Sequence, residues 1–143
     1  MDKEINKVMF WQSIFGSRGH VVSKFPIIVP QELAKQRAEF LYEEIQEYLD
    51  ANEAGDIVEI LDALCDILYF LFGMVVIHGL QKKFTQAFEI VHQSNMSKLD
   101  DDGKIIIRES DGKVLKGKNY WKPREKLEKL LGYKNEENII RKD

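Results

Sequence analysis

The stretch from residue 57 to residue 77 allows few structures, because it is almost entirely apolar and yet carries three acidic side chains. Glu59, Asp62 and Asp66 are its only charged residues, and on a helix they fall within about 60° of one another. A helix that is apolar nearly all round normally lies at the centre of a fold. We therefore expect a central helix from about Asp56 to Ile77. Three like charges in such a place repel one another and lose hydration, so the pattern favours a bound cation.

Helical spacing of apolar residues predicts four further helices, at about 7–15, 31–51, 82–98 and 123–131. Two short apolar runs, 104–108 and 113–115, flank Asp111-Gly112, which is a hairpin signal. The sequence thus predicts an all-α helical bundle with a small C-terminal β-hairpin as an accessory. We expect one domain over residues 1–143 and a frayed tail from Asn135.

Composition excludes several classes of protein. The 143 residues carry a net charge of −3, so no general excess of positive charge attracts the chain to nucleic acid. The single cysteine, Cys65, cannot form an intramolecular disulfide, and because Met1–Glu4 lack a basic start followed by an apolar run, we expect no signal peptide. The longest uninterrupted apolar run, 67–77, is shorter than the roughly 20 residues that span a membrane. We expect a cytoplasmic protein with no nucleic-acid or membrane partner.

A second acidic group lies on the preceding helix, at Glu43, Glu44 and Glu47. Glu44 borders the apolar stripe of that helix, Glu47 comes next, and Glu43 faces most outward. Carboxylates from two neighbouring helices, with no cysteine or suitable histidine, predict an oxygen site for Mg²⁺, with Mn²⁺ as an alternative. Two other interpretations stay open: Glu59 can belong to a capping box that starts with Asp56, and Glu43, Glu44 and Glu47 can form a solvated helix face.

These acids resemble a known signature. Glu43-Glu44-x-x-Glu47, followed after a short loop by Glu59-x-x-Asp62, is similar to the EExxE…ExxD motif of the MazG-like all-α nucleoside triphosphate pyrophosphohydrolases. These proteins are related to phosphoribosyl-ATP pyrophosphohydrolase and the dimeric dUTPases. The similarity also covers Phe15-Gly16, Arg37, Asp62–Tyr69, Ser94–Lys98 and Lys116–Tyr120, and so nearly the whole chain.

The resemblance implies hydrolysis of a nucleoside triphosphate to a monophosphate and pyrophosphate. It implies that Glu44, Glu47, Glu59 and Asp62 hold Mg²⁺, and that Glu43 or another carboxylate of the set acts as general base. Many members have an apolar doublet directly after the motif aspartate, and here such a doublet follows Asp66. Asp66 is therefore expected as a further ligand or as a residue that supports the ligands.

Charged and polar residues elsewhere are candidates for binding the phosphates. They are Arg37, Asn95, Lys98, Lys116, Lys118 and Tyr120. Asn95 and Lys98 continue the apolar stripe of the helix at 82–98, which predicts that they point inward, although both can simply cap that helix. The lysines at 116 and 118 belong to a basic segment that can close over a substrate or remain solvated. Aromatic candidates for a base slot are Phe10, Trp11, Phe15 and Phe40.

Two other functions remain open at this point. The first is a phosphoribosyl-ATP pyrophosphohydrolase with the same metal chemistry. The second is a non-catalytic helical binding module that uses its acids for solubility or for protein binding. For any of these we expect a homodimer or homotetramer, because the two long helices carry more apolar surface than 143 residues cover comfortably, and because the family that the chain resembles assembles similarly.

Overall fold

A computed structural model describes residues 1–16, 22–99 and 101–133. It contains α1 (Asp2–Phe15), α2 (Gln31–Ala54), α3 (Ile57–Ile77), α4 (Phe84–Met96) and α5 (Arg124–Leu131). Each helix lies where the apolar spacing predicts one, within about five residues at either end. The described residues contain no β-strand, and the all-α prediction is confirmed. The predicted frayed tail lies outside the described residues.

The chain divides into two compact units, Met1–Lys82 and Lys83–Asp143. The first unit contains α1, α2 and α3, with α2 and α1 both packed against α3. The second contains α4 and α5, which pack against each other. The single domain expected over residues 1–143 stays a prediction.

A two-residue link joins α2 to α3, so the two helices form an antiparallel hairpin. Gly55 ends α2 in the left-handed conformation, with φ of 70°, which glycine adopts without strain. Asp56 then starts α3, because its Oδ1 accepts hydrogen bonds from the backbone N–H groups of Val58 and Glu59, at 3.0 and 3.2 Å. The link therefore fixes the register in which the acids of α2 face those of α3.

An extended segment packs against the end of α3. The backbone N–H of Ile27 donates to the carbonyl of His78 at 3.0 Å, and the Gln81 amide donates to the carbonyl of Ser23 at 2.8 Å. Gly79 has φ of 71°, and a Cβ there would lie 1.9 Å from the carbonyl oxygen of Phe25. Only glycine permits this approach. The contact closes the apolar core of the first unit, to which Ile5, Val8, Val29, Phe72, Val75, Val76 and Ile77 contribute buried side chains.

The prediction that all of α3 lies in the centre is wrong for its N-terminal half. Ile57, Val58 and Leu61 are 73%, 68% and 64% exposed, and Cys65 is also exposed. Burial is concentrated between Phe72 and Ile77. Apolar spacing shows which face of a helix avoids water, but it does not show whether residues of the same chain pack over that face.

By length and apolar composition, α3 is also the one helix among the described residues that could cross a membrane. One such helix is weak evidence, because the core helix of a soluble protein has the same composition. The absence of a membrane partner remains a prediction.

The predicted C-terminal hairpin is not confirmed. One isolated antiparallel bridge joins Ile107 to Val114, and the turn between them is closed by an ion pair of Arg108 with Asp111. The flanking apolar side chains Ile105 and Ile106 are nearly half exposed. A two-stranded ribbon needs a third strand or an apolar cover to be stable, and the described residues of this unit supply no further strand.

Candidate active site

The first unit contains an aromatic cavity of about 780 Å³, lined by residues of α1, α2 and α3 and by Gly16. Its aromatic walls are Trp11, Phe15, Phe40, Tyr69 and Phe70. The ring centroid of Trp11 lies 5.3 Å from that of Phe15 and 5.9 Å from that of Tyr69, while Phe40 and Phe70 are 5.7 Å apart. These rings present flat apolar faces to the cavity, whose volume is typical of a small-molecule site.

Four polar side chains line the same cavity: Gln12, Arg37, Glu43 and Asp66. Arg37 is only 7% exposed, and its Nε has no hydrogen-bond partner among the described residues. Burial lowers the pKa of its guanidinium below the ordinary value, although arginine keeps its charge. A buried cation with an unpaired Nε beside an open cavity suits an anionic ligand.

An acidic hollow of about 420 Å³ lies further along the α2–α3 hairpin. Its acidic side chains are Glu47, Asp50, Asp56, Glu59 and Asp62. Three of these, Glu47, Glu59 and Asp62, are metal ligands predicted from the sequence, and all three are exposed. The structure therefore divides the predicted acids, because Glu43 and Asp66 lie at the aromatic cavity instead.

Glu44 links the two groups electrostatically. It is half-buried, and its Oε2 is buried without a hydrogen-bond partner among the described residues. Desolvation raises the pKa of the Glu44 carboxyl, and the negative charges of Glu47, Asp66, Glu43 and Asp62 raise it further. Helical spacing correctly places Glu44 nearer the apolar face than Glu43 and Glu47, which are exposed.

The carboxylates do not form a ready-made ligand set. Among the described residues, no group of three or more histidine, cysteine, aspartate or glutamate side chains is close enough to hold a metal ion. What the structure does show is a concentration of negative charge, in which four carboxylates raise the pKa of a fifth, that of Glu44.

The capping-box interpretation of Glu59 is not supported. Asp56 caps α3, but its own backbone N–H donates to the carbonyl of Ala51 at 3.0 Å. A capping box would have the Glu59 carboxylate accept from that N–H. The Glu59 side chain is therefore available to the acidic hollow.

The phosphate-binding candidates Asn95 and Lys98 lie in the second unit. Lys98 donates to Asn95 Oδ1 at 2.9 Å, and Asn95 is exposed. Phe88 and Val91, on the same stripe, are 56% and 38% exposed. The prediction that this stripe points inward is wrong within the described residues, where only Ser94 of α4 is buried.

The basic segment of the second unit is folded onto its own neighbours. Lys118 pairs with Asp101 at 2.6 Å, and the Asn119 amide donates to the same carboxylate at 2.7 Å. These bonds hold the pKa of Asp101 below its ordinary value. Lys116 lies 4.9 Å from the ring centroid of Tyr120. All these groups except Tyr120 are exposed, so substrate can compete for them.

Comparison with known proteins decides the family. The sequence model of phosphoribosyl-ATP pyrophosphohydrolase matches residues 19–95, which is more than half of the chain. The chain belongs to this family. The match includes both acidic groups and Arg37, and it confirms the resemblance to the MazG-like superfamily.

A solved structure supports the same assignment for this family member. It is the crystal structure of a candidate NTP pyrophosphohydrolase from Exiguobacterium sp. 255-15, with 29% sequence identity and a TM-score of 0.50. The alignment covers 90% of this chain and 94% of that one. No curated protein matches the chain. The protein is thus a nucleotide pyrophosphohydrolase of the MazG-like type, and the comparisons favour an enzyme over the non-catalytic binding module.

Sequence analysis of this pyrophosphohydrolase missed part of the cavity. Gln12, Tyr69, Phe70 and Gly73 line it without having been singled out, whereas Phe10, a predicted base contact, is 67% exposed and is not among the lining residues. One signal for Gln12 exists in the sequence. Ile5, Val8 and Gln12 follow helical spacing, so a polar residue occupies a position of the buried stripe of α1.

Proposed function

We propose that this protein is a Mg²⁺-dependent nucleoside triphosphate pyrophosphohydrolase that converts a ribo- or deoxyribonucleoside triphosphate and water to the monophosphate and pyrophosphate. The observation that carries the proposal is the buried Oε2 of Glu44, which has no hydrogen-bond partner among the described residues, while four neighbouring carboxylates add to the burial that raises the pKa of this side chain. Such a concentration of negative charge is unfavourable alone and becomes favourable with a divalent cation.

The residues present fit a hard cation in donor chemistry. Glu44, Glu47, Glu59, Asp62 and Asp66 offer only carboxylate oxygens, which suits Mg²⁺ and also Mn²⁺. The unpartnered Oε2 of Glu44 is a further sign that this group lacks a positive neighbour. A bound Mg²⁺ would polarise the phosphoryl oxygens and offset their charge.

The protein's own groups supply the remaining steps. Glu43, exposed at the edge of the aromatic cavity, orients a water molecule and accepts its proton. The water oxygen bonds to the α- or the β-phosphorus, and the bond from that phosphorus to the bridging oxygen breaks. The bridging oxygen leaves with the electron pair, on pyrophosphate if the α-phosphorus is attacked and on the monophosphate if the β-phosphorus is. Glu44 and Glu47 of the same helix are the other candidates for the base.

Basic side chains hold the phosphates in this proposal. Arg37, buried and with its Nε unpaired among the described residues, offers its guanidinium to an anionic group in the cavity. Asn95, Lys98, Lys116, Lys118 and Tyr120 of the second unit remain proposed phosphate-binding residues on the strength of the sequence. For Lys118, exchanging its ion pair with Asp101 for an anionic ligand costs little, because both groups are exposed.

A second candidate substrate is phosphoribosyl-ATP, because the matching family is described by that activity. The metal chemistry would be the same. Pyrophosphate release from phosphoribosyl-ATP, without release from free nucleoside triphosphates, would decide for this alternative.

We further propose a homodimer or homotetramer in the cytoplasm, with no nucleic-acid or membrane partner. The support for self-association is the exposed apolar half of α3, from Ile57 to Leu68.

The acidic hollow is tested with Glu47→Gln and Asp62→Asn. Each change removes a negative charge from an exposed side chain, so folding should persist, while Mg²⁺-dependent pyrophosphate release should fall about 100-fold or more. Release is measured across ribo- and deoxynucleoside triphosphates with Mg²⁺ or Mn²⁺. Glu39→Gln is the matched control, since Glu39 is an exposed glutamate of α2 outside both cavities. Full activity in both site variants would contradict the proposal.

A further inference from the structure

Gln12 is a polar side chain in an apolar position. It lies on the buried stripe of α1 with Ile5 and Val8, and it is 4% exposed. Its Oε1 is buried and has no hydrogen-bond partner among the described residues. Leaving a buried acceptor unpaired costs about 1–3 kcal/mol, and native proteins rarely do so without a reason. A ligand that donates a hydrogen bond to this oxygen would be such a reason.

Gly73 makes room for the Gln12 amide. A Cβ at position 73 would lie 2.8 Å from Nε2 of Gln12, which is closer than real Cβ contacts come. Glycine inside a helix costs about 1 kcal/mol relative to alanine, and at this position it leaves the space that the amide occupies. The amide is therefore seated against the backbone of α3, at the wall of the aromatic cavity.

The rest of the cavity suits a planar aromatic ligand. Trp11, Phe15 and Tyr69 are partly exposed, with their rings clustered within 6 Å of Trp11. Stacking of a nucleobase on an aromatic side chain contributes about 1–3 kcal/mol per base. Stacking alone does not distinguish one base from another, so selectivity has to come from the polar groups that line the cavity.

We propose that the aromatic cavity binds the nucleobase, and that Gln12 determines specificity by accepting a hydrogen bond from an exocyclic amino group. Cytosine and adenine carry such a group, whereas uracil, thymine and hypoxanthine have a carbonyl oxygen at that position. With the amide oriented as in the structure, Nε2 toward Gly73, a carbonyl there would face Oε1 acceptor to acceptor, leaving both without a donor. This inference rests on the proposed function, since it assigns the base of that same substrate.

The test compares substrates that differ at this one group. The wild-type enzyme should favour dCTP over dUTP, and dATP over dITP, by about tenfold or more in kcat/KM. Gln12→Leu, similar in size but without an acceptor, should bring both ratios to within about threefold of one. Gln12→Glu, which keeps acceptor oxygens, should retain the preference for amino bases. Each ratio compares two substrates on the same enzyme sample, so partial unfolding of that sample does not change it.

Binding without hydrolysis separates this inference from the proposed function. In a Trp121→Phe background, Trp11 is the remaining tryptophan, and deoxycytidine should quench its fluorescence more strongly than deoxyuridine in metal-free buffer. Quenching of this kind without any pyrophosphate release would contradict the proposed function and support the base site. Hydrolysis with equal dCTP and dUTP rates, or an unchanged ratio in Gln12→Leu, would overturn the assignment of Gln12.

Discussion

Glu44 shows what a single residue contributes to the site. Desolvation and four neighbouring negative charges act on it in the same direction, and its folded-state pKa is raised above the ordinary value of 4.5. A carboxyl with a raised folded-state pKa binds protons more tightly in the folded protein than in the unfolded chain. Its contribution to stability therefore falls as pH rises through that interval, and the penalty is complete above the folded-state pKa.

Glu44→Gln should stabilise the metal-free protein at pH 7, by about 0.5 kcal/mol, which is the size of a like-charge interaction between helix neighbours. At pH 4 the difference from the wild type should shrink, because the wild-type carboxyl is then largely protonated. Urea unfolding of the wild type and the variant at pH 7 and at pH 4, without divalent cations, measures the difference in their free energy of unfolding at each pH. A variant less stable than the wild type at pH 7 would contradict the electrostatic argument.

The same variant tests the cation. Mg²⁺ or Mn²⁺ should raise the melting temperature of the wild type, because a ligand that binds only the folded state stabilises it. The rise should be smaller in Glu44→Gln and unchanged in Glu39→Gln. Equal shifts in all three proteins would show that the ion binds elsewhere.

At the scale of one residue, the sequence points to the acids more readily than to the residues that line the cavity. The acids and Arg37 stand out because charge at helical spacing is visible in the sequence. Gln12 and Gly73 form a pair, since the glycine leaves room for an amide 61 residues away in the chain. No local pattern records that contact.

Among the elements, the α2–α3 hairpin positions the acids. Gly55 and Asp56 alone connect the two helices, and Asp56 both caps α3 and lines the acidic hollow. The cap determines where α3 begins, and so which acids of the two helices come together. Sequence analysis located this boundary to within one residue, because capping is a local interaction.

Asp56→Ala should lower the free energy of unfolding by about 1 kcal/mol, through the loss of two hydrogen bonds to the first turn of α3. Asp56→Asn should recover most of the loss, since asparagine is also a good N-cap. Glu53→Ala, an exposed change in the last turn of α2, is the control and should alter stability by less than about 0.5 kcal/mol. An Asp56→Ala variant as stable as the wild type would contradict a stabilising role of the Asp56 cap.

The C-terminal hairpin illustrates the opposite case. Asp111-Gly112 does form a turn, and Gly112 has φ of 70°, so the local part of the prediction is correct. The pairing beyond the turn stops at one bridge, because extending it requires a neighbour that covers the apolar side chains. Turn chemistry is local and strand pairing is not.

For the molecule as a whole, the main feature of the surface is the exposed, apolar N-terminal half of α3. Ile57, Val58, Leu61, Leu64 and Leu68 are each more than 40% exposed, on a helix with few polar residues. Exposed apolar surface of this kind commonly marks a subunit interface. The proposed homodimer or homotetramer would bury it.

Leu61→Lys should therefore shift the protein toward the monomer, because a buried interface would receive an unpaired charge. Light scattering after size exclusion, at several protein concentrations, measures the mass. Ile106→Lys is the control, since Ile106 is an exposed apolar residue of the second unit. A monomeric wild type at all concentrations would contradict the oligomer, and an oligomer unaffected by Leu61→Lys would place the interface elsewhere.

The sequence by itself determined the helices, the start of α3 with its Asp56 cap, and the family whose acidic motif the chain carries. Each of these depends on interactions between residues that are near in the chain or on a spacing that a helix repeats. Tertiary structure alone decided the division of the acids between two cavities, the unpartnered burial of Gln12 and Arg37, and the exposure of half of α3. These depend on which distant surfaces meet, and a pattern of residues along one helix contains no record of what packs against it.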